Sequence, residues 1–334
     1  MKLIYVGDLH VKSNKFHKKG LDDFFNNELY PLIHELQKKD EVAIVLLGDE
    51  FDTSSPDWDS WCWLVDHIKK WPKTYIVNGN HSSSIKKGNA TLSLNALSNV
   101  TVCNVPTMET IDNCNLIFFP YPDNSDIKES YNIYCEQNLD FKKQYIAVTH
   151  FASTKNQFSE TEGIDINLPK GSITIEGHTH ISARYFDSNG IEHITVGVPI
   201  PTRKGEETNK CQLVIQDTRT LELTFVPIQA EKYFTYETLK YPDQALYNNS
   251  LLTITDIPVS DKHLWRNSYG NIGHRIIGHK FEQTDIEVVS NMSDIIHNDL
   301  KTSSSFSEYA KTQNAKQKVI DNCLSKIALC QNIE

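Results

Sequence analysis

Nowhere does this chain of 334 residues hold the run of roughly 20 apolar residues that a membrane-crossing helix requires, so no membrane association is expected. Cysteine is sparse and unpatterned. Its seven residues, at 62, 103, 114, 135, 211, 323 and 330, form no CxxC pair, which argues against a disulfide framework or a thiolate metal site and for reduced, buried thiols. A basic excess is also missing. With 33 Lys and Arg against 43 Asp and Glu the formal net charge is -10, which excludes indiscriminate coating of nucleic acid but leaves room for a local groove, and bound metal cations would offset part of the acidity. Lys12, Lys15, Lys18 and Lys19, Lys86-Lys87 and Arg203-Lys204 are local basic clusters. The opening Met1-Lys2-Leu3-Ile4-Tyr5-Val6 enters a strand pattern at once and carries no leader signature, so a cytoplasmic location is expected. With 39% hydrophobic and 23% charged residues the composition is that of an ordinary folded protein, and the length suits one large domain with an appendage, or two domains.

What is present is one theme repeated through the first 230 residues: a short apolar strand that ends in a polar cluster, usually opened by Gly. Lys2 to Val6 leads into GDLH, Val42 to Leu47 into GDEFD, Tyr75 to Val77 into GNH, Tyr145 to Val148 into TH, and Ile173 to Ile175 into EGHTH. Nearly continuous apolar strands alternating with helices predict a sheet covered on both faces. The carboxyl ends of such strands are where α/β folds place their sites, so the five clusters are expected on one rim. Between them, a helix-period stripe runs through Leu21, Phe24, Phe25, Leu29, Leu32, Ile33 and Leu36. A second helix is expected over Asp57 to Lys70, with Trp58, Trp61, Leu64, Val65 and Ile68 along one face.

The strand tips bring together Asp8, His10, Asp49, Asn80, His150, His178 and His180. Carboxylate, imidazole and amide oxygen without cysteine form a donor set for Mn²⁺, Fe²⁺ or Zn²⁺. Seven donors exceed one tetrahedral ion and suit two ions that share a carboxylate, ~3.5 to 4 Å apart, with a bridging hydroxide poised to attack phosphorus. In Asp8-x-His10 and His178-x-His180 the spacing of two puts both side chains on one side of an extended segment. The Gly before a cluster permits a sharp turn.

Five such clusters in this order resemble the calcineurin-type metallophosphoesterase superfamily, whose pattern is GDxH, GDxxD, GNH, a lone His and GHxH. The resemblance covers residues 1 to 230 and implies a two-sheet α/β sandwich flanked by helices. The form of GDEFDTSSP, and of GHTH followed by VGVP, is most similar to the SbcD-type DNA-repair nucleases and their tailed-phage counterparts. The layout beyond residue 230 matches that branch: 231–300 as a small α+β cap that faces DNA, then 301–334 as a linker and terminal helix for partner docking.

Carried over by position, the resemblance implies Asp8, His10 and His180 on one metal, Asn80, His150 and His178 on the other, and Asp49 bridging. His81 stands free of metal and stabilises the transition state or protonates the leaving oxygen, a task suited to imidazole. Asp52 is expected to support the ligands from behind. Where the family usually places an acidic residue after GNH to orient the histidine, this chain has Ser82. The implied activity is a two-metal DNA nuclease, with manganese expected and Mg²⁺, Fe²⁺ or Zn²⁺ as alternatives. The implied partners are DNA, an SbcC-type coiled-coil ATPase and a second copy of the chain, docked through the tryptophan-bearing helix and a helix at Leu92 to Leu97. A phosphatase or small-nucleotide phosphodiesterase is the alternative, and a non-catalytic scaffold the remote one. The other eight histidines (17, 34, 67, 193, 263, 274, 279 and 297) read as surface or satisfied core.

Overall fold

The computed structural model describes residues 1–81, 89–122, 125–156, 163–206, 209–243 and 250–281. The end of the expected cap from residue 282 on, the expected linker and terminal helix at 301–334, and Ser82 lie outside the described residues.

Fifteen strands are described: β1 (Lys2–Val6), β2 (Val42–Leu46), β3 (Lys73–Val77), β4 (Val100–Cys103), β5 (Thr107–Ile111), β6 (Cys114–Phe119), β7 (Ile146–Thr149), β8 (Ile173–Glu176), β9 (Ala183–Phe186), β10 (Glu192–Thr195), β11 (Cys211–Asp217), β12 (Leu223–Ile228), β13 (Thr235–Lys240), β14 (Ser250–Ile257) and β15 (Ile276–Phe281). They form two six-stranded sheets, in the orders β12-β11-β1-β2-β3-β4 and β5-β6-β7-β8-β10-β9, and a three-stranded sheet β13-β14-β15. Both large sheets are mixed. β1 runs parallel to β2 and antiparallel to β11, and β7 runs parallel to both β6 and β8.

The two sheets bury β1 and β2 on both faces, which is why these strands read as continuous apolar runs. In the layer between the sheets, Leu3, Tyr5, Ala43 and Val45 meet Leu116, Phe118, Ile146, Val148 and Ile175. Their alternates Ile4, Val6, Ile44 and Leu46 join Leu21, Phe24, Phe25, Leu29, Leu64 and Ile68 from the helices on the outer face. Across the second sheet, Ile117, Phe119 and Ala147 pack on Tyr131 and Cys135 of a helix at Ser125–Asn138. A period of two along each strand therefore splits its side chains between two cores. At about 1.5 to 3 kcal/mol for each large apolar side chain removed from water, these layers hold the strand ends in register.

Three helices lie on the first sheet. Helix α1 (Lys15–Phe24) is capped by Asn14, whose side chain accepts from the amides of Phe16 and His17. It does not run on as the single helix that the stripe predicts. A π turn at Phe25–Leu29 separates it from α2 (Tyr30–Gln37), and Phe24, Phe25 and Leu29 are buried on both sides of the break. Helix α3 (Trp58–Ile68) starts after Asp57, which accepts from Ser60 N at 2.8 Å. Leu64, Val65 and Ile68 are buried as expected, whereas Trp58, at the first helical position, is 74% exposed and stacks on Trp61. The segment expected as a helix at Leu92 to Leu97 is a 3-10 helix at Thr91–Ala96, and α4 (Ser125–Asn138) was not foreseen.

The chain divides into two compact units, Met1–Glu237 with Ala245–Leu252, and Thr238–Gln244 with the residues from Thr253 on. In the second unit Trp265 and Tyr269 are buried, and Trp265 packs its ring on His279. The five described cysteines, 62, 103, 114, 135 and 211, are free, and burial pushes the thiols of Cys103 and Cys114 up to about 12. Among the described residues no helix is long and apolar enough to cross a membrane.

Candidate metal centre

Five strand ends meet, but they belong to two sheets rather than one. Asp8 and His10 follow β1, Asp49 follows β2 and Asn80 and His81 follow β3, all in the first sheet; His150 follows β7 and His178 and His180 follow β8 in the second. The loops after β1 and β2 stay paired beyond the strands, since His10 N donates to Asp49 O and Val11 N to Glu50 O, each at 2.8 Å. Three of the site residues hold left-handed backbones: His10 at φ 43°, Asp49 at φ 48° and His178 at φ 69°. Side-chain-bearing residues adopt that region at a cost, and such outliers gather at functional sites.

The glycines serve a different purpose from the one their sequence suggests. Of those that open the clusters only Gly48 has a positive φ. The others are required by close approach: a Cβ at Gly79 would fall 2.1 Å from Asp49 Oδ1, and one at Gly177 2.4 Å from Leu47 O.

The donor atoms form three overlapping groups, each within 4.8 Å: Asp8, His10 and His180; Asp49, His150 and His178; and His10, Asp49 and His81. Asp49 and His10 are the shared members. Nε2 of His10 stands 3.1 Å from Nε2 of His180, and Nε2 of His150 stands 3.1 Å from Asp49 Oδ2 and 3.0 Å from Asn80 Oδ1. The same amide oxygen is 3.0 Å from His178 Nδ1. All seven sequence-predicted positions therefore converge, and Asp8, His10, Asp49 and His150 are each at most 2% exposed.

The outer ring nitrogens determine what the inner ones offer. His150 Nδ1 donates to Leu47 O at 2.5 Å and His180 Nδ1 to Glu206 Oε1 at 2.6 Å. With Nδ1 of each ring held outward, Nε2 of His180 faces Nε2 of His10 and Nε2 of His150 faces carboxylate and amide oxygens, a set of inward-facing donor atoms that suits a cation. Neither Asp8 nor Asp49 has a Lys or Arg partner among the described residues. The donor set thus fits divalent metal on chemical grounds.

The titration behaviour reflects the same need for positive charge. Burial raises the Asp8 carboxyl, with the neighbouring Asp49 adding to the shift. Burial opposes charge on His150, yet Asp49 and Asp8 outweigh it and push the imidazole up to about 10. Burial, with His150 beside it, lowers His178 to about 3. Burial alone would raise Asp52, but His10 and Lys12 hold it at about 2.

His81 is exposed at the edge of the cluster. Its amide donates to Asp49 Oδ1 and its Nδ1 to the backbone carbonyl of Asp52, both at 2.8 Å. The orienting partner expected of the residue after GNH is thus supplied by a main-chain oxygen. The Asp52 carboxylate turns elsewhere, to within 3.5 Å of His10 Nδ1 and 3.3 Å of Lys12 Nζ.

Sequence reasoning missed three residues. Glu206 bonds His180, Tyr121 sets its ring 5.4 Å from that of His178, and Glu176, two residues before His178, binds His193. A histidine whose one nitrogen faces a metal group needs a partner on the other, but nothing in the local pattern says where along the chain that partner lies.

Residues 1–182 match the family model described as calcineurin-like phosphoesterase. Among solved structures the chain is similar to an archaeal phosphodiesterase, at 13% identity over 68% of this chain and 100% of that one with TM-score 0.38. It is also similar to a dimetal phosphatase from Danio rerio, at 11% identity over 68% of this chain and 98% of that one with TM-score 0.36. A search of curated protein sequences finds no match.

Proposed function

The chain belongs to the calcineurin-like phosphoesterase family, and on that footing we propose that it is a two-metal phosphodiesterase that cuts DNA at its ends as the nuclease subunit beside an SbcC-type coiled-coil ATPase. The observation that carries the reading is the convergence of seven donors from five strand ends with His81 beside them. Asp8, His10 and His180 would hold one divalent ion, Asn80, His150 and His178 the other, and Asp49 both, with manganese the ion expected. Bound there, the ions supply Lewis-acid activation of water and neutralise charge on the phosphoryl oxygens.

The rest falls to the chain's own residues. His81, held through Nδ1 by the Asp52 carbonyl, keeps its Nε2 edge for the leaving oxygen, to which it delivers a proton. Leu47 O and Glu206 keep His150 and His180 in the tautomers that face inward. No side chain is needed as a nucleophile. Lys12 beside Asp52, and Arg203 and Lys204 beyond His180, supply positive charge for a phosphate backbone. The form of GDEFDTSSP and of GHTH with VGVP supports the DNA-repair branch over other phosphoesterases. In the same proposal residues 231–300 face DNA, 301–334 dock the ATPase, and the exposed Trp58 stacked on Trp61 offers a face to a second copy of the chain.

The test is Mn²⁺-dependent degradation of an end-labelled linear duplex, with and without the ATPase partner, beside a phosphodiester dye. Loss of duplex cleavage in both Asp49→Ala and His81→Ser supports the assignment. Cleavage of the dye while the duplex survives with the partner present would replace it with the small-substrate reading.

A further inference from the structure

Next to His180 the surface opens into a cleft of about 420 Å³, lined by His180, Ile181, Arg203, Lys204, Glu206 and Asn209. The cations stand at its mouth, where Arg203 and Lys204 are exposed, and the one carboxylate, Glu206, is 5% exposed. Glu206 Oε2 accepts from Thr202 N at 2.8 Å, Thr202 Oγ1 at 2.9 Å and Arg203 N at 3.2 Å. Oε1 accepts from His180 Nδ1 at 2.6 Å and from Arg203 Nε at 2.9 Å. Five donors on one carboxylate tie Thr202 to Glu206 into a tight loop, and the loop is pinned again where Lys12 Nζ donates to Thr202 O at 2.5 Å.

Two of the five donors belong to groups with chemical work to do. One is the ring of His180. The other is the guanidinium of Arg203, a planar donor array suited to phosphate oxygens. Because the negative charge is buried and the positive charges are exposed, the field at the mouth favours an anion. A polynucleotide differs from a small diester in carrying a further phosphate beside the bond that breaks.

We propose that this cleft is a phosphate subsite in which Arg203 and Lys204 hold the nucleotide phosphate adjacent to the one hydrolysed, with Glu206 as the positioning residue that aims Arg203 and the ring of His180 from one carboxylate. The proposal rests on the phosphodiesterase reading above. It explains why a loop 26 residues beyond His180 returns to it.

The experiment is steady-state kinetics of the full chain with Mn²⁺ on a linear duplex and on bis(4-nitrophenyl) phosphate, a single diester with no neighbouring phosphate. Arg203→Ala is expected to raise KM for the duplex about tenfold and far more than for the dye, and to make the salt dependence of kcat/KM shallower by about one phosphate contact. Arg203→Lys should restore part of both. In Mn²⁺ titration by calorimetry, Glu206→Ala should weaken binding of one ion about 10- to 100-fold, and Glu206→Gln, which still accepts from His180, should fall between. Equal KM changes on both substrates with an unaltered salt slope overturn the subsite. Mn²⁺ affinity untouched by either Glu206 variant overturns the positioning role. Wild-type inactivity on both substrates overturns the phosphodiesterase reading and the subsite with it, whereas activity with a uniform Arg203→Ala effect overturns the subsite alone.

Discussion

Two buried clusters of histidine and carboxylate meet at the end of β8, and they are wired in opposite ways. Around Glu176 both carboxylate oxygens are met by donors: Oε1 accepts from His193 Nδ1 at 2.6 Å and Ser153 N at 3.3 Å, and Oε2 from Tyr185 OH at 2.7 Å and Thr195 Oγ1 at 3.1 Å, while His193 Nε2 stands 3.7 Å from Asp187 Oδ2. Two residues on, His178 joins a group in which ring nitrogens face each other and face carboxylate and amide oxygens, their protons committed to Leu47 and Glu206 on the outside. Burial of histidine beside carboxylate therefore does not by itself mark a reactive site. What separates the clusters is what gathers: four donors close on one carboxylate at Glu176, whereas at the strand ends four imidazoles, two carboxylates and an amide oxygen crowd together. The first arrangement stabilises a fold; the second suits a divalent cation.

Substitution at the shared carboxylate should break the comparison most visibly. Asp49→Ala is expected to lower phosphodiester cleavage by about a thousandfold or more, the scale of several kcal/mol of lost charge stabilisation, and to reduce the Mn²⁺ bound per chain in elemental analysis. Glu176→Ala should act on folding instead. Removing it strands His193 and Tyr185 without their partner, and a loss of about 3 to 5 kcal/mol is expected in urea unfolding, where Asp49→Ala has a much smaller effect.

His81→Ala sharpens the division within the site. Its expected loss in kcat is about a hundredfold or more with Mn²⁺ stoichiometry retained, because the seven donors assigned to the two ions stay in place.

The smallest effect is on pH dependence. Burial lowers His193, but Glu176 and Asp187 outweigh it and raise its pKa. A histidine raised above its unfolded value of about 6.5 stabilises the fold fully below that pH, and the contribution is lost as pH rises through the folded value. Tm should fall between pH 6 and pH 9, and the fall should be smaller in His193→Gln.

Much of this was legible from the chain. Lys2 to Val6 and Ile173 to Glu176 are strands where the apolar runs place them, and the polar residues after them converge. His193 is core, as are Leu64, Val65 and Ile68. The reading of His17 as satisfied core needs correction: it is buried with neither ring nitrogen bonded, and burial lowers it to about 3. Trp58 departed from its stripe because the helix begins there, and the π turn at Phe25–Leu29 interrupts the first stripe with no signal in its periodicity.

The order and chemical type of the donors are local properties. A strand that ends in Gly and Asp-x-His carries its spacing in three or four residues, and that spacing survives any arrangement of the rest. Which sheet each strand joins, and which atom orients each ring, are not local. Glu206 reaches His180 across 26 residues, the Asp52 carbonyl reaches His81 across 29, and Leu47 reaches His150 across 103. A hydrogen bond needs its atoms aligned within a few tenths of an ångström, and over such separations only the tertiary pairing of strands and packing of sheets provides that alignment.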